Sequence, residues 1–68
     1  MDERYEKIIE LVKELDVITI SDVVKFLKVH YQTAGRILLK MEVVGILKHR
    51  VIMESGIKKY KVWVLRKY

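Results

Sequence analysis

The hydrophobic period of this 68-residue chain changes once, at Gly45, and no other feature narrows its fold as much. Up to that glycine, apolar residues recur every three or four positions, the period of a helix face. Beyond it they crowd two short runs rich in β-branched and aromatic residues, from Ile46 to Met53 and from Lys58 to Leu65, which is the composition of strands. The expected fold is α+β, three helices followed by a β-hairpin.

The helices can be placed from their faces and their ends. Tyr5, Ile8, Ile9, Val12 and Leu15 share one side of a first helix from Asp2 to Leu15, with Glu3, Glu6, Lys7, Glu10, Lys13 and Glu14 on the other. Asp16-Val17 interrupts the pattern, and Ile18-Thr19-Ile20 is β-branched throughout, enough for a short extended segment. Thr19 and Asp22 then form a capping-box variant at the start of a second helix, Ile20 to Leu27, in which hydroxyl and carboxylate each accept from the other residue's amide. Val23, Val24 and Leu27 give that helix its apolar side, and Val29 is the buried residue of a turn of about three residues.

The third helix spans Tyr31 to Val43, with Ala34, Ile37, Leu38 and Met41 at core spacing and Gln32, Gly35, Arg36 and Lys40 opposite. His30 is placed to cap it, and Gly45 stands where a left-handed residue ends a helix without a Cβ clash. The two strands are separated by Glu54-Ser55-Gly56-Ile57, which carries a hairpin turn signal. Alternation on the second strand predicts Tyr60, Val62 and Val64 facing inward and Lys59 and Lys61 outward. Trp63 then falls on the opposite face, where the first helix or a dimer partner would have to cover it. Trp63 and Tyr68 are the large aromatics nearest the C-terminus. No repeat, proline-rich linker or low-complexity stretch interrupts this order, so residues 1–68 read as one domain.

Several function classes are disfavoured. A chain this short has no room for a second core or a cleft walled on every side. It holds no cysteine, so neither a disulfide framework nor a zinc finger can brace it. His30 and His49, its only histidines, lack companions for a metal site, and no glycine-rich phosphate loop or nucleophile elbow occurs. The expectation is a protein without enzymatic activity, cofactor or small-molecule substrate. No apolar run reaches the roughly 18 residues of a membrane span, and Met1 to Glu6 is charged, unlike a signal peptide. These features predict a cytoplasmic protein.

Charge is divided along the chain. Residues 1–22 carry three basic and seven acidic side chains, a balance of −4, whereas residues 23–68 carry eleven basic residues against Glu42 and Glu54, a balance of +9. A solvated surface and a nucleic-acid footprint both fit a basic excess, but concentration on particular elements favours the footprint.

Across essentially the whole length, the chain resembles the winged helix-turn-helix family. The stretches that carry the resemblance are Ile18-Thr19-Ile20-Ser21-Asp22, Phe26-Leu27-Lys28-Val29, then Ala34, Arg36, Leu38, Met41-Glu42 and Gly45-Ile46-Leu47. They look like that family's β-branched-Thr helix start, apolar turn residue, basic residue midway along the recognition helix and glycine before the wing. The resemblance speaks to fold more than to function, since winged helices include transcription regulators, helicase tails, a ribosomal protein and adapters that bind only proteins.

The resemblance implies double-stranded DNA as partner, with the third helix in the major groove and the hairpin as a wing on the backbone or in the minor groove. On the helix, Tyr31, Gln32, Thr33, Gly35, Arg36 and Lys40 are the candidate contacts. Glutamine can pair with adenine and arginine with guanine, while threonine or tyrosine can meet a thymine methyl or a phosphate. Gly35 either lets the backbone approach the duplex or relieves a tight helix crossing. On the wing, Lys48, Arg50, Lys58, Lys59 and Lys61 are the candidates, with His49 beside them; the bland alternative is lysines guarding a β-edge. The leading expectation is a small transcriptional regulator acting as a homodimer. The alternatives are an RNA-bound ribosomal-type protein and a protein-interaction adapter. The acidic start, Met1-Asp2-Glu3, departs from the lysine-rich tail of the ribosomal family.

Overall fold

The protein, in a computed structural model that describes residues 2–66, folds as α1 (Glu3–Leu15), α2 (Ile20–Leu27), α3 (Tyr31–Val43), β1 (Leu47–Glu54) and β2 (Ile57–Leu65). This is the α+β, winged helix-turn-helix order expected from the sequence. Helix α1 begins one residue later than its periodicity suggests because Asp2 is its N-cap, accepting a hydrogen bond from the Arg4 amide at 2.8 Å. Asp16 closes α1 at φ 70° and ψ −45°, its amide donating to the Val12 carbonyl at 2.7 Å. The capping box at α2 is complete: the Asp22 amide donates to Thr19 Oγ1 (3.3 Å) and the Thr19 amide donates to Asp22 Oδ2 (2.8 Å).

The end of α3 explains why β1 starts at Leu47 rather than Ile46. The Ile46 amide donates back to the Met41 carbonyl (2.9 Å) and the Gly45 amide to that of Glu42 (3.0 Å). This pairing closes a helix when the residue after the cap is left-handed, and Gly45 is at φ 85°. Ile46 is therefore committed to the helix terminus. The hairpin turn is also tighter than the sequence suggests. Ser55 and Gly56 alone form the loop, both with positive φ (53° and 78°), as a type I′ turn requires.

β1 and β2 pair antiparallel, with Leu47 opposite Leu65 and Glu54 opposite Ile57; Lys59 is an extra residue in β2, bulged between Tyr60 and Lys58. The short extended segment before α2 joins them as one bridge. The Ile18 amide donates to the Trp63 carbonyl (3.0 Å) and the Trp63 amide to that of Ile18 (2.8 Å). β2 thus lies between Ile18 and β1, and the outer edge of β1 is unpaired among the described residues.

The core lies under the base of this hairpin, where Leu47 and Trp63 close over Ile8, Val12, Ile18, Val23, Ala34, Leu38 and Met41. Full burial of one such aliphatic side chain contributes about 1.5–3 kcal/mol. The expected facing of β2 is corrected here. Cross-strand partners share a face, so Leu47, Leu65, His49 and Trp63 form the side turned to the helices, and Trp63 is 9% exposed. The chain's own core covers it. Its indole Nε1 is buried with no hydrogen-bond partner among the described residues. Tyr60, expected inward, is 54% exposed, and Lys61, expected outward, shares the Trp63 side beyond the reach of the core. Val62 is buried but on the other face, opposite Arg50. Tyr68 lies outside the described residues. Among the described residues no helix is long and apolar enough to cross a membrane.

Candidate nucleic-acid interface

In a helix-turn-helix, the helix that faces the groove is held from behind by the one before it. Here α2 supplies that support. Lys28 ends α2 in the left-handed conformation (φ 56°), Val29 is half-buried against the core, and α3 begins two residues later. Ala34, Ile37, Leu38 and Met41 anchor α3 from beneath.

The N-terminus of α3 is open. His30 occupies the N-cap position as expected, but its side chain makes no cap hydrogen bond, and no acidic residue lies in the first turn. The orphan amides of that turn and the positive end of the helix dipole are left without an internal counter-charge. Tyr31 is 62% exposed; Gln32 is exposed and Thr33 half-buried beside it. Arg36 and Lys40, one turn apart, are exposed. Among the described residues the side-chain contacts between basic groups and carboxylates are those of Lys7 with Glu3 (3.7 Å) and His49 with Glu42 (2.7 Å), so neither Arg36 nor Lys40 is engaged.

Gly35 occupies a different place from its neighbours. A Cβ built on it would meet Ile20 Cδ1 at 3.3 Å, so its bare side is turned to α2 at the helix crossing. Of the two roles considered for it, the crossing is the one with a contact to explain.

Sequence reasoning missed one feature of α3. At about 100° per residue, Gln32, Arg36, Leu39 and Val43 fall on one outward stripe. Its first half is polar. Its second half is apolar, with Leu39 at 61% exposed and Val43 at 77%, and Val44 beside it at 62%. In the sequence, Leu39 and Val43 pass as ordinary members of a helical hydrophobic pattern. Helical period already sets them opposite Ala34, Ile37, Leu38 and Met41, and the structure leaves both exposed.

The wing residues do not form one patch. Lys48 and Arg50 project from the same face as Ile52, Tyr60, Val62 and Val64, where they line a shallow groove with Val12, Asp16, Val64 and Leu65. Lys61 projects from the other face, Lys59 from the bulge, and Lys58 pairs with Met53 near the turn. All five are exposed. His49 is drawn off from the basic set: its Nδ1–H donates to Glu42 Oε2 at 2.7 Å, tying the base of the wing to the end of α3, and its ring lies 6.5 Å from that of Trp63.

Residues 2–67 match the family described as bacterial protein of unknown function, DUF977, and the chain belongs to that family. No curated protein matches it. Among solved structures, the chain is similar to Stf76 from the Sulfolobus islandicus plasmid-virus pSSVx. The TM-score is 0.79 at 15% sequence identity, over 98% of this chain and 86% of that one. At that identity the likeness concerns the fold.

Proposed function

We propose that this member of the DUF977 family is a double-stranded-DNA-binding protein, a small cytoplasmic transcriptional regulator without catalytic activity. In this reading α3 enters the major groove by its N-terminal half and the lysines of the wing lie on flanking phosphates. The observation that carries it is the state of that half-helix: uncapped, free of acidic residues in its first turn, and presenting Gln32 and Arg36 with no partner among the described residues. A helix N-terminus of this kind suits a phosphate, and an unpaired glutamine and arginine one turn apart suit base edges. The excess of +9 over residues 23–68 supplies long-range attraction to the same partner.

The apolar end of the α3 stripe supports a second reading, a winged helix that docks another protein through Leu39, Val43 and Val44. One experiment separates the two. Fluorescence anisotropy of labelled duplex DNA, duplex RNA and single strands is measured against salt, for the wild-type protein and for Arg36→Ala. Duplex-DNA preference, a log–log salt slope near about −5 for about six phosphate contacts, and a loss of about 1–3 kcal/mol in Arg36→Ala are the expected results. Equal binding to RNA, or none to any of them, refutes the DNA reading.

A further inference from the structure

We propose that the free edge of β1 is a self-association surface, on which a second copy of this chain adds its own β1 antiparallel to form one continuous four-stranded wing sheet. The inference does not rest on DNA binding.

The hydrogen-bond pattern decides which groups the edge offers. Trp63 in β2 turns both its amide and its carbonyl toward Ile18, away from β1. Its cross-strand partner His49 must therefore turn its own backbone groups away from β2. Alternation carries Leu47, Val51 and Met53 with it, while the even-numbered residues bond inward; the Arg66 amide donating to the Ile46 carbonyl at 3.0 Å fits that parity. The bulge is on β2, so β1 keeps its alternation to the turn.

This edge lacks most of the devices that keep sheet edges apart. It has no proline and no bulge, and no described helix or loop covers its outer half. That half carries apolar side chains in solvent: Val51 is 37% exposed and Met53 55%. A bare two-stranded ribbon gains little from such residues, whereas a third and fourth strand would share them.

Charge and the outward hydrogen bonds together select the register. β1 runs from cations, Lys48 and Arg50, to an anion, Glu54. A second β1 laid antiparallel reverses that order and sets opposite charges across from each other. Only odd residues offer outward backbone groups, so odd must meet odd. A two-fold axis at Arg50 would stack that arginine on its copy. An axis at Ile52 pairs Arg50 with Glu54 but sets His49 against Ser55 of the turn. An axis at Val51 pairs His49 with Met53 of the second copy, Val51 with itself and Lys48 with Glu54, and it satisfies the outward groups of all three odd residues. The lysines of β2 stay free on the far side, so the assembly leaves Lys58, Lys59 and Lys61 available to another partner.

Four variants test this by sedimentation velocity and oxidative cross-linking of the whole chain: Val51→Pro and Val51→Lys, which should both weaken the edge pairing, and Val51→Cys with Lys40→Cys as its control. Val51→Pro deletes a donor that faces outward, so the β1–β2 ladder survives; Val51→Cys places the only thiol of a cysteine-free chain on the axis. The wild-type protein should be dimeric at micromolar concentration. Val51→Pro should keep the far-ultraviolet circular dichroism spectrum while self-association weakens at least ~10-fold. Val51→Cys should form a covalent dimer rapidly, whereas Lys40→Cys, at an exposed position away from the edge, should not. A monomeric wild-type protein overturns the proposal. So does a dimer that survives both Val51→Pro and Val51→Lys, or equal cross-linking at both thiols.

Discussion

Replacing Gly35 with alanine separates the two roles this glycine can have. Mid-helix glycine costs about 0.8–1 kcal/mol relative to alanine, so the substitution should stabilise α3 if nothing stands in the way. Something does: the new methyl meets Ile20 Cδ1 at 3.3 Å. The obstacle is the far end of a flexible side chain, half-buried in α2, and moving it off its preferred rotamer costs about 0.5–1.5 kcal/mol. The terms are of equal size, and Gly35→Ala alone should change stability by less than about 0.5 kcal/mol. In an Ile20→Val background the obstructing methyl is gone. There the same substitution should stabilise by the full helix-propensity gain, about 1 kcal/mol.

Urea titrations of the four proteins, followed by far-ultraviolet circular dichroism, give that cycle directly. The coupling between the two positions is the measured quantity, and its expected size is about 0.5–1.5 kcal/mol. Equal effects of Gly35→Ala in both backgrounds would refute the crossing argument. DNA affinity is an independent readout. Because the added Cβ points toward α2, Gly35→Ala should leave duplex binding within roughly twofold of wild type; a loss of an order of magnitude without a loss of stability would place Gly35 against the duplex instead.

Thr19→Ala removes one half of the capping box and should lower stability by about 1 kcal/mol, read as a shift of the urea midpoint at constant slope. Gly45→Ala meets no side-chain obstacle nearer than Arg66 Nη1 at 3.9 Å, yet its φ of 85° should cost about 1–2 kcal/mol in thermal or urea unfolding. Trp63→Phe trades lost ring volume against removal of a buried, unpartnered N–H, whose burial costs about 1–3 kcal/mol. It should therefore destabilise by clearly less than the roughly 3–5 kcal/mol of a large aromatic truncated to alanine, as chemical denaturation will show.

Most of the fold was legible because the sequence states its boundaries locally. Helices α2 and α3 follow from apolar spacing between a Thr-Asp capping box and a glycine terminator, and the structure keeps those limits. What failed was the facing of the hairpin. Alternation says that neighbours on a strand face opposite ways, but not which way, and both parities of β2 hold apolar residues: Tyr60, Val62 and Val64 on one, Trp63 and Leu65 on the other. The deciding fact is the bridge from Ile18 to Trp63 together with Leu47 opposite Leu65. Those contacts join residues far apart in the chain, which no local pattern encodes. The candidate interface was legible in the same measure. The outward stripe of α3, Gln32 and Arg36 with Leu39 and Val43, follows from helical period, whereas the open N-terminus of α3 depends on His30 failing to bond.

A fold shared at 15% identity rests on what residues do rather than on which residues they are. The devices that define this architecture can each be made by several residue types: an apolar period, a cap, a turn, a positive φ. Sequence can therefore drift widely while the backbone stays. The groups that would read a groove have no such freedom, because an amide or a guanidinium offers a donor pattern that no neighbour in size reproduces. These groups sit on the exposed side of α3, where packing imposes nothing, so in a related chain their identity can change without any trace in the fold. It follows that shape alone cannot transfer a target from one winged helix to another. Under the DNA-binding reading, substitutions at Gln32 and Arg36 should alter the preferred sequence while leaving the unfolding midpoint where it was.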